Sequence, residues 1–427
     1  MGQPVRKIIK DTHPDINVKP IYTLLVDGNN LLRRCFRDER VNTRGEHYGA
    51  VFQFLLQLKI MLLKKDFDYI YCYFDDGDSG ILRWKYYSDY KANRDKNYGS
   101  HHDLSEYGKA YEAKLKQMQN YIFNKNKTKE KEILREYINK YKTKEINENI
   151  LKSELGEEKA KEVIKTAEKE ILDENFARER DMLLKYFNEL YIRWIFHETV
   201  EGDDFIAYYV QHKKPEERIV IMSSDHDLTQ LISDTVCVYD PMIEKYISKD
   251  NIIRLRGVPV ENVVIEKIFC GDASDNIKNI DGVSITRLHE LIPEIEKRPI
   301  TIEEVKERAQ KCIDERVANK KKPLKWHENI VNGVSRGDYD GDFYEINKKI
   351  IDLSQPLLTE DAIEEIDSMM YAVQDPDGRS FKNLYQYIIE DDITDLKSET
   401  KFASFFEQFK ILADKEIKRY EKEYRKK

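Results

Sequence analysis

Nowhere in the 427 residues does an apolar run approach the ~18 residues that a membrane-crossing helix needs, so no span is expected. Residues 1–19 carry charge but no apolar block, which argues against a secretory signal and leaves a flexible arm. Cysteine is sparse: Cys35, Cys72, Cys237, Cys270 and Cys312 are far apart, odd in number and never in a CxxC pair. They read as reduced core thiols, neither disulfide partners nor zinc ligands, and place the chain in the cytoplasm, the host's if the source is viral. There is no repeat, no low-complexity tract, no Walker loop and no GxGxxG. Asp338-Tyr339-Asp340-Gly341-Asp342 has the wrong order for an EF-hand loop, and Lys349 stands where the closing glutamate would fall. A net charge of −8 argues against indiscriminate adhesion to nucleic acid and leaves room for a local basic path.

What is present is a repeated device. Ile219-Val220-Ile221-Met222 runs into Ser223-Ser224-Asp225-His226-Asp227. Ile21–Val26 likewise ends in Asp27, and Tyr69–Phe74 ends in Asp75 and Asp76. Short β-branched or aromatic runs of this kind predict buried strands that deliver carboxylates to their C-terminal edge, where open parallel sheets bind ligands. Two more acidic groups, Glu201-Gly202-Asp203-Asp204 and Gly271-Asp272-Ala273-Ser274-Asp275, open predicted helices, and Asp272 and Asp275 would then share a helical face. Gly28 permits a tight turn after the first strand, and either Asn29 or Asn30 can cap the next helix. Val51, Phe54, Leu55, Leu58, Met61 and Leu62 recur at helical spacing, giving a strand–helix–strand crossover.

Three further stretches stand out. Residues 81–98 interleave Arg83, Lys85, Lys91, Arg94 and Lys96 with Trp84, Tyr86, Tyr87, Tyr90 and Tyr98, against two acids. That mixture suits phosphate contact with base stacking, and it equally suits a solvated loop with aromatics packed down. Residues 102–190 are dense in Lys and Glu, without proline, and predict two to four long helices: a spacer, or an arch or clamp beside a nucleic-acid strand. Lys401–Lys427 has nine bases against five acids, and Phe402, Phe405, Phe406 and Phe409 fit a packed terminal helix before they fit a partner contact.

Any one acidic pair is more often a cap or a turn than a ligand set. Five together, if one sheet gathers them, form a cluster that like-charge repulsion forbids unless divalent cations fill it. Such a cluster suits phosphodiester hydrolysis, which needs an attacking hydroxide near neutral pH and neutralisation of the oxygens that gain charge. An all-oxygen ligand set suits magnesium.

In their order and context, LLVDGNN, FDDGDSG followed by YKANRD, VEGDD, SSDHDLTQL and GDASDNIKNIDGV resemble the 5′-nuclease family of flap endonucleases, including the bacteriophage ribonuclease H and 5′-exonuclease members. The resemblance implies an α/β fold with a mostly parallel central sheet flanked by helices (a PIN-like core). The matching stretches lie between residues 24 and 283; with the residue pattern elsewhere, the expected division is a core of residues 20–101 and 179–245, a helical arch or clamp at 102–178, a helical region at 246–395 with a helix–two-turn–helix element, and a basic C-terminal helix or tail at 396–427. The resemblance further implies a first metal site from Asp27, Asp75, Asp203 and Asp225 with Glu201 acting through water. Asp204, Asp227, Asp272 and Asp275 would form the second. The ions would be two Mg²⁺, with Mn²⁺ as a substitute. Lys91 and Arg94 would hold the scissile phosphate, and Lys85 belongs to the same basic path. Arg83 and Tyr90 match a basic position and a base-stacking aromatic, and Gly282, Ser284 and Arg287 match the duplex contact. Ser284 stands where many members have a second glycine, which bears on a K⁺ ion at that turn. The implied reaction is two-metal hydrolysis near 5′ ends of branched or nicked DNA and RNA–DNA hybrids, by a monomer removing primers in replication. Single-strand-binding or sliding-clamp proteins are the implied partners. A PIN-type ribonuclease and a catalytically silent, structure-specific DNA-binding scaffold are the alternatives.

Overall fold

The computed structural model describes residues 19–75, 79–92, 128–337 and 339–424. Strands β1 (Ile21–Asp27), β2 (Tyr69–Asp75), β3 (Arg193–His197), β4 (Glu217–Met222) and β5 (Val236–Asp240) run parallel, and β6 (Lys245–Ile247) pairs antiparallel with β5. Their spatial order is β3-β2-β1-β4-β5-β6. β6, only three residues long, carries too little pattern to be read from sequence.

Helices α1 (Gly28–Cys35) and α2 (Gly49–Lys64) connect β1 to β2, and α3 (Ile81–Trp84) follows β2. The insertion before β3 contains α4 (Thr128–Lys142), α5 (Glu148–Leu155) and α6 (Glu157–Glu189), while α7 (Gly202–His212) joins β3 to β4. Beyond the sheet come α8 (Ile252–Arg256), α9 (Val263–Cys270), α10 (Ile285–Leu291), α11 (Ile302–Ala318), α12 (Lys325–Asn332), α13 (Phe343–Ile351), α14 (Glu360–Met369), α15 (Phe381–Glu390) and α16 (Glu399–Tyr424).

Period-two alternation explains why both sheet faces are covered. Tyr22, Leu24, Val26, Ile70, Cys72, Phe74, Val220, Met222 and Cys237 enter one core, with Phe54, Leu55, Leu58 and Met61 of α2 and the phenylalanines of α16. Their strand neighbours Leu25, Tyr71, Tyr73, Ile219, Ile221 and Val238 enter the other, with Phe205, Ile206 and Tyr209 of α7 and the helices beyond residue 260. The 246–395 region thus packs directly on the sheet.

α6 explains how the insertion is tied on. At about 50 Å it reaches from a small separate core of Ile138, Leu151, Ala160, Val163 and Ala167 into the sheet core, where Met182, Leu183, Tyr186 and Phe187 are buried. Three helices occur in the described part of the insertion. Residues 93–127, which carry much of the proposed arch, lie outside the described residues. In α16, Phe402, Phe405, Phe406 and Phe409 are all buried, so none is offered to a partner. All five cysteines are free thiols; Cys35, Cys72 and Cys237 are buried, and Cys270 and Cys312 are half-buried.

Candidate metal centre and its basic neighbours

β1 and β4 are adjacent, but the chain leaves β1 toward β2 on one side and leaves β4 toward β5 on the other. Their C-terminal ends therefore flank the crevice where doubly wound sheets bind ligands. Asp27 ends β1, Asp75 ends β2, and Ser223 to Asp227 follow β4. Glu201 and Asp203 open α7 beside them.

Asp27 is buried and caps α1 itself: its Oδ1 accepts from the Asn30 amide at 3.1 Å, and its Oδ2 accepts from Ser223 Oγ at 2.8 Å. Neither asparagine is the cap. Asn29 Nδ2 donates to the Asp75 carbonyl at 2.5 Å and to its carboxylate, and Asn30 Oδ1 accepts from Ser224 Oγ at 2.7 Å. Gly28 is required by closeness and has no unusual backbone angle: a Cβ there would meet the Phe74 ring at 2.6 Å. Asp75 Oδ2 accepts the Gly202 amide at 3.0 Å, and Asp225 Oδ1 accepts the Asp227 amide at 2.9 Å.

These carboxylates are in conflict. Burial raises the Asp27 carboxyl to about 7; the bonds from Ser223 and Asn30 oppose the shift, and the charges of Asp225 and Asp75 add to it. Asp203 is pushed well above the ordinary range by burial, then by Asp225 and Asp27. Burial also raises Asp75, against the Gly202 amide and the charge of Lys91. Glu201 behaves oppositely. Burial disfavours its charge, yet Lys91 and Arg83 hold it down to about 2. Lys91 Nζ donates to Glu201 at 2.7 Å, and Tyr90 Oη donates to it at 3.0 Å.

The second set of carboxylates is arranged differently. Asp204 is buried and held by Arg83 through two bonds of 2.6 and 3.1 Å. Lys267, in the last turn of α9, forms ion pairs with both Asp227 and Asp272, the latter at 2.6 Å. The expected helix through Asp272 and Asp275 is absent: Asp272 bridges to Ile277 across a turn, and its Oδ1 accepts from the Ser274 amide at 2.8 Å. That local side-chain bond competes with helix formation. A Cβ at Gly271, where φ is +73°, would sit 2.6 Å from the Ile277 carbonyl, so the turn demands glycine. Asp275 Oδ2 lies 3.1 Å from Tyr90 Oη and shares its single hydrogen with Glu201, with Lys91 Nζ 4.0 Å off.

The expected nucleic-acid contacts divide in the same way. Arg83 and Tyr90, expected at that contact, are both buried. Arg83 donates to the Ile350 carbonyl at 2.9 Å as well as to Asp204, and Trp84 Nε1 donates to the Tyr90 carbonyl at 2.9 Å. Lys85 is exposed, Lys91 is half-buried, and Arg94 lies outside the described residues. Ser284, exposed, caps α10, and Arg287 donates to the Gly282 carbonyl. With Glu266, Cys270 and Asn279 these three residues line a surface cavity of about 680 Å³. Sequence reasoning missed Ser223, Asn29 and Lys267. A lysine closing a helix just before an acidic turn was the signal available for the last; nothing in the pattern singled out the others.

The donor set is all-oxygen and short of positive charge, which fits hard divalent cations. Among the described residues, no three acidic, histidine or cysteine side chains stand close enough to enclose an ion already.

The fold and the acidic edge define a doubly wound α/β protein with a carboxylate-lined crevice at its switch point. A family model for the N-terminal resolvase-like domain of 5′-3′ exonucleases matches residues 22–151 and 123–257, over half of the chain. The chain belongs to the 5′-3′ exonuclease family. It is 37% identical to DNA polymerase I of Rhizobium leguminosarum over 98 residues, 23% of this chain and 10% of that one. It is 34% identical to a 5′-3′ exonuclease of Aquifex aeolicus over 84 residues, 19% of this chain and 29% of that one. The matched segments thus span a tenth to under a third of these relatives. The bacteriophage T5 D15 protein, crystallised with metal ions, aligns at TM-score 0.50 and 14% identity, covering 87% of this chain and 98% of that one. The T5 flap endonuclease in a complex with DNA and metal ions aligns at 0.51 and 15%, covering 82% and 97%. The shared fold is what these two likenesses establish.

Proposed function

We propose that this chain is a divalent-metal-dependent 5′-nuclease that hydrolyses phosphodiester bonds near the 5′ ends of branched or nicked duplexes. The observation that carries the reading is the gathering of Asp27, Asp75, Asp203 and Asp225 at the β1/β4 crevice, where burial and then neighbouring carboxylates raise Asp27 and Asp203. Family membership and the T5 proteins' metal ions and DNA support it. Divalent ions held there, two Mg²⁺ or Mn²⁺ in the full reading, supply Lewis-acid activation of water and neutralisation of the phosphate.

The chain's own residues do the rest. Asp27, Asp75, Asp203 and Asp225 would hold the first ion, and Asp227 and Asp272 the second. Ser223, Asn29 and the Gly202 amide fix the carboxylate rotamers by hydrogen bonds. Lys91, together with Arg94 outside the described residues, orients the scissile phosphate. Glu201 is a positioning residue, because its carboxylate is occupied by Lys91 and Tyr90. Arg83 and Asp204 form a buried scaffold pair, outside both the metal and the phosphate contacts. Lys85 on the surface and the α9–α10 connection, with Ser284 and Arg287 exposed, form the duplex contact in a helix–two-turn–helix role on a PIN-like core. Arg287 already satisfies the Gly282 carbonyl, so K⁺ is left out of the proposal. RNA–DNA hybrids and primer removal remain part of it. Replication proteins docking through the α16 phenylalanines do not.

The test is cleavage of 5′-labelled flap, nicked and hybrid duplexes with and without Mg²⁺. Asp75→Asn and Asp225→Asn should each lose at least ~100-fold in rate, given what even outer-shell changes cost a metal site, while still binding the duplex. Full activity in both variants would end the reading. Cleavage of single-stranded RNA in preference to flaps would favour the PIN-type ribonuclease.

A further inference from the structure

The two carboxylate groups differ in how their charge is balanced. Among the described residues, none of Asp27, Asp75, Asp203 and Asp225 has an ion-pair partner, and Lys91 acts on Asp75 and Asp203 only from a distance. Every member of the other group has a basic neighbour. Asp204 has Arg83, Asp227 and Asp272 share Lys267, and Asp275 faces Lys91 at 4.0 Å. These neighbours are not equivalent. Arg83 is buried and locked by its planar fork and by the Ile350 carbonyl, whereas Lys267 is a point charge on a flexible stem.

We propose that Lys267 is a resident cation of the second carboxylate group: its ammonium, lodged between Asp227 and Asp272, keeps that pair from taking a divalent ion until the side chain withdraws. The proposal rests on the metal reading above and adds an order to it. The first ion loads at Asp27, Asp75, Asp203 and Asp225, which have no ion-pair partner among the described residues. The second must displace an ammonium already held by both carboxylates. Lys267 is therefore a positioning residue that sets the affinity of the second ion. A +1 charge at contact distance opposes a second cation by Coulomb repulsion and by occupying the oxygens themselves.

The test is calorimetric titration of the full chain with Mn²⁺ and with Mg²⁺, without nucleic acid. Wild type should take one ion tightly and a second at least about tenfold more weakly. In Lys267→Met, and in Lys267→Gln should the former not fold, second-ion affinity should rise by about tenfold or more, with the first unchanged. Lys267→Arg, which keeps the charge, should follow wild type. Unaltered second-ion affinity in the neutral variants would overturn the role of Lys267 and leave the nuclease reading intact. Absence of any uptake by folded wild type would overturn the metal reading beneath it.

Discussion

Replacing Arg83 by methionine separates two roles that its sequence context supports equally. In the structure its guanidinium holds Asp204 at 2.6 and 3.1 Å, reaches Glu201 at 3.3 Å and donates to the Ile350 carbonyl at 2.9 Å. Methionine fills most of the volume but leaves Asp204, 1% exposed, with the Leu357 amide at 2.9 Å as its one remaining hydrogen-bond donor among the described residues. Breaking a buried pair in this way costs about 3–5 kcal/mol, a large share of a total stability of roughly 5–15 kcal/mol. Urea unfolding followed by circular dichroism should show that loss. Arg83→Met combined with Asp204→Leu should recover most of it, because removing both charges eliminates the unpaired carboxylate. Meanwhile the salt dependence of flap-duplex binding should keep its slope, since Arg83 reaches no surface phosphate. A slope reduced by about one, as loss of one phosphate contact would give, together with an unchanged unfolding midpoint, would refute the buried-pair assignment.

Further outcomes follow from other contacts. Because Asp27 and Asp203 are strained by burial and by neighbouring charge, Mg²⁺ at 100 times its Kd should stabilise the fold by about 2.7 kcal/mol; a melting temperature indifferent to Mg²⁺ and EDTA would contradict this. His47 forms an ion pair with the buried Glu179 on α6, which raises the imidazole's pKa. Its stabilisation is therefore complete below the unfolded value of about 6.5 and disappears as pH rises through the higher folded value. Melting temperatures from pH 6 to 9 should fall in wild type with a component missing in His47→Asn; parallel curves would dismiss the pair. Phe406→Ala, at a fully buried ring between Phe402, Phe405 and Phe409, should cost about 3–5 kcal/mol in urea unfolding; a change within ±0.5 kcal/mol would mean that α16 is not part of the core.

The strand ends were legible because a strand covered on both faces must be apolar throughout, and an aspartate ending such a run can only be at the edge. That argument located Asp27, Asp75 and Asp225 from β1, β2 and β4 alone, and helical spacing located α2. It failed where position along the chain does not determine which way a side chain turns. Arg83 and Tyr90 occupy a basic, aromatic segment that looks like a surface, yet Asp204 and Glu201, over 110 positions later, draw them inward. Asp272 and Asp275 have helical spacing, yet Ser274 gives Asp272 a local bond that a helix would break. The acidic residues themselves were visible; their compensating charges were not. Whether a carboxylate is available to a cation depends on which lysine or arginine the fold sets beside it. Asp204 and Asp203, adjacent in sequence, differ in this respect: Arg83 neutralises Asp204, while Asp203 is left with the repulsion of Asp225 and Asp27. An acidic motif therefore specifies where metal chemistry is possible, and the basic residues packed against it decide which of its carboxylates remain free to perform it.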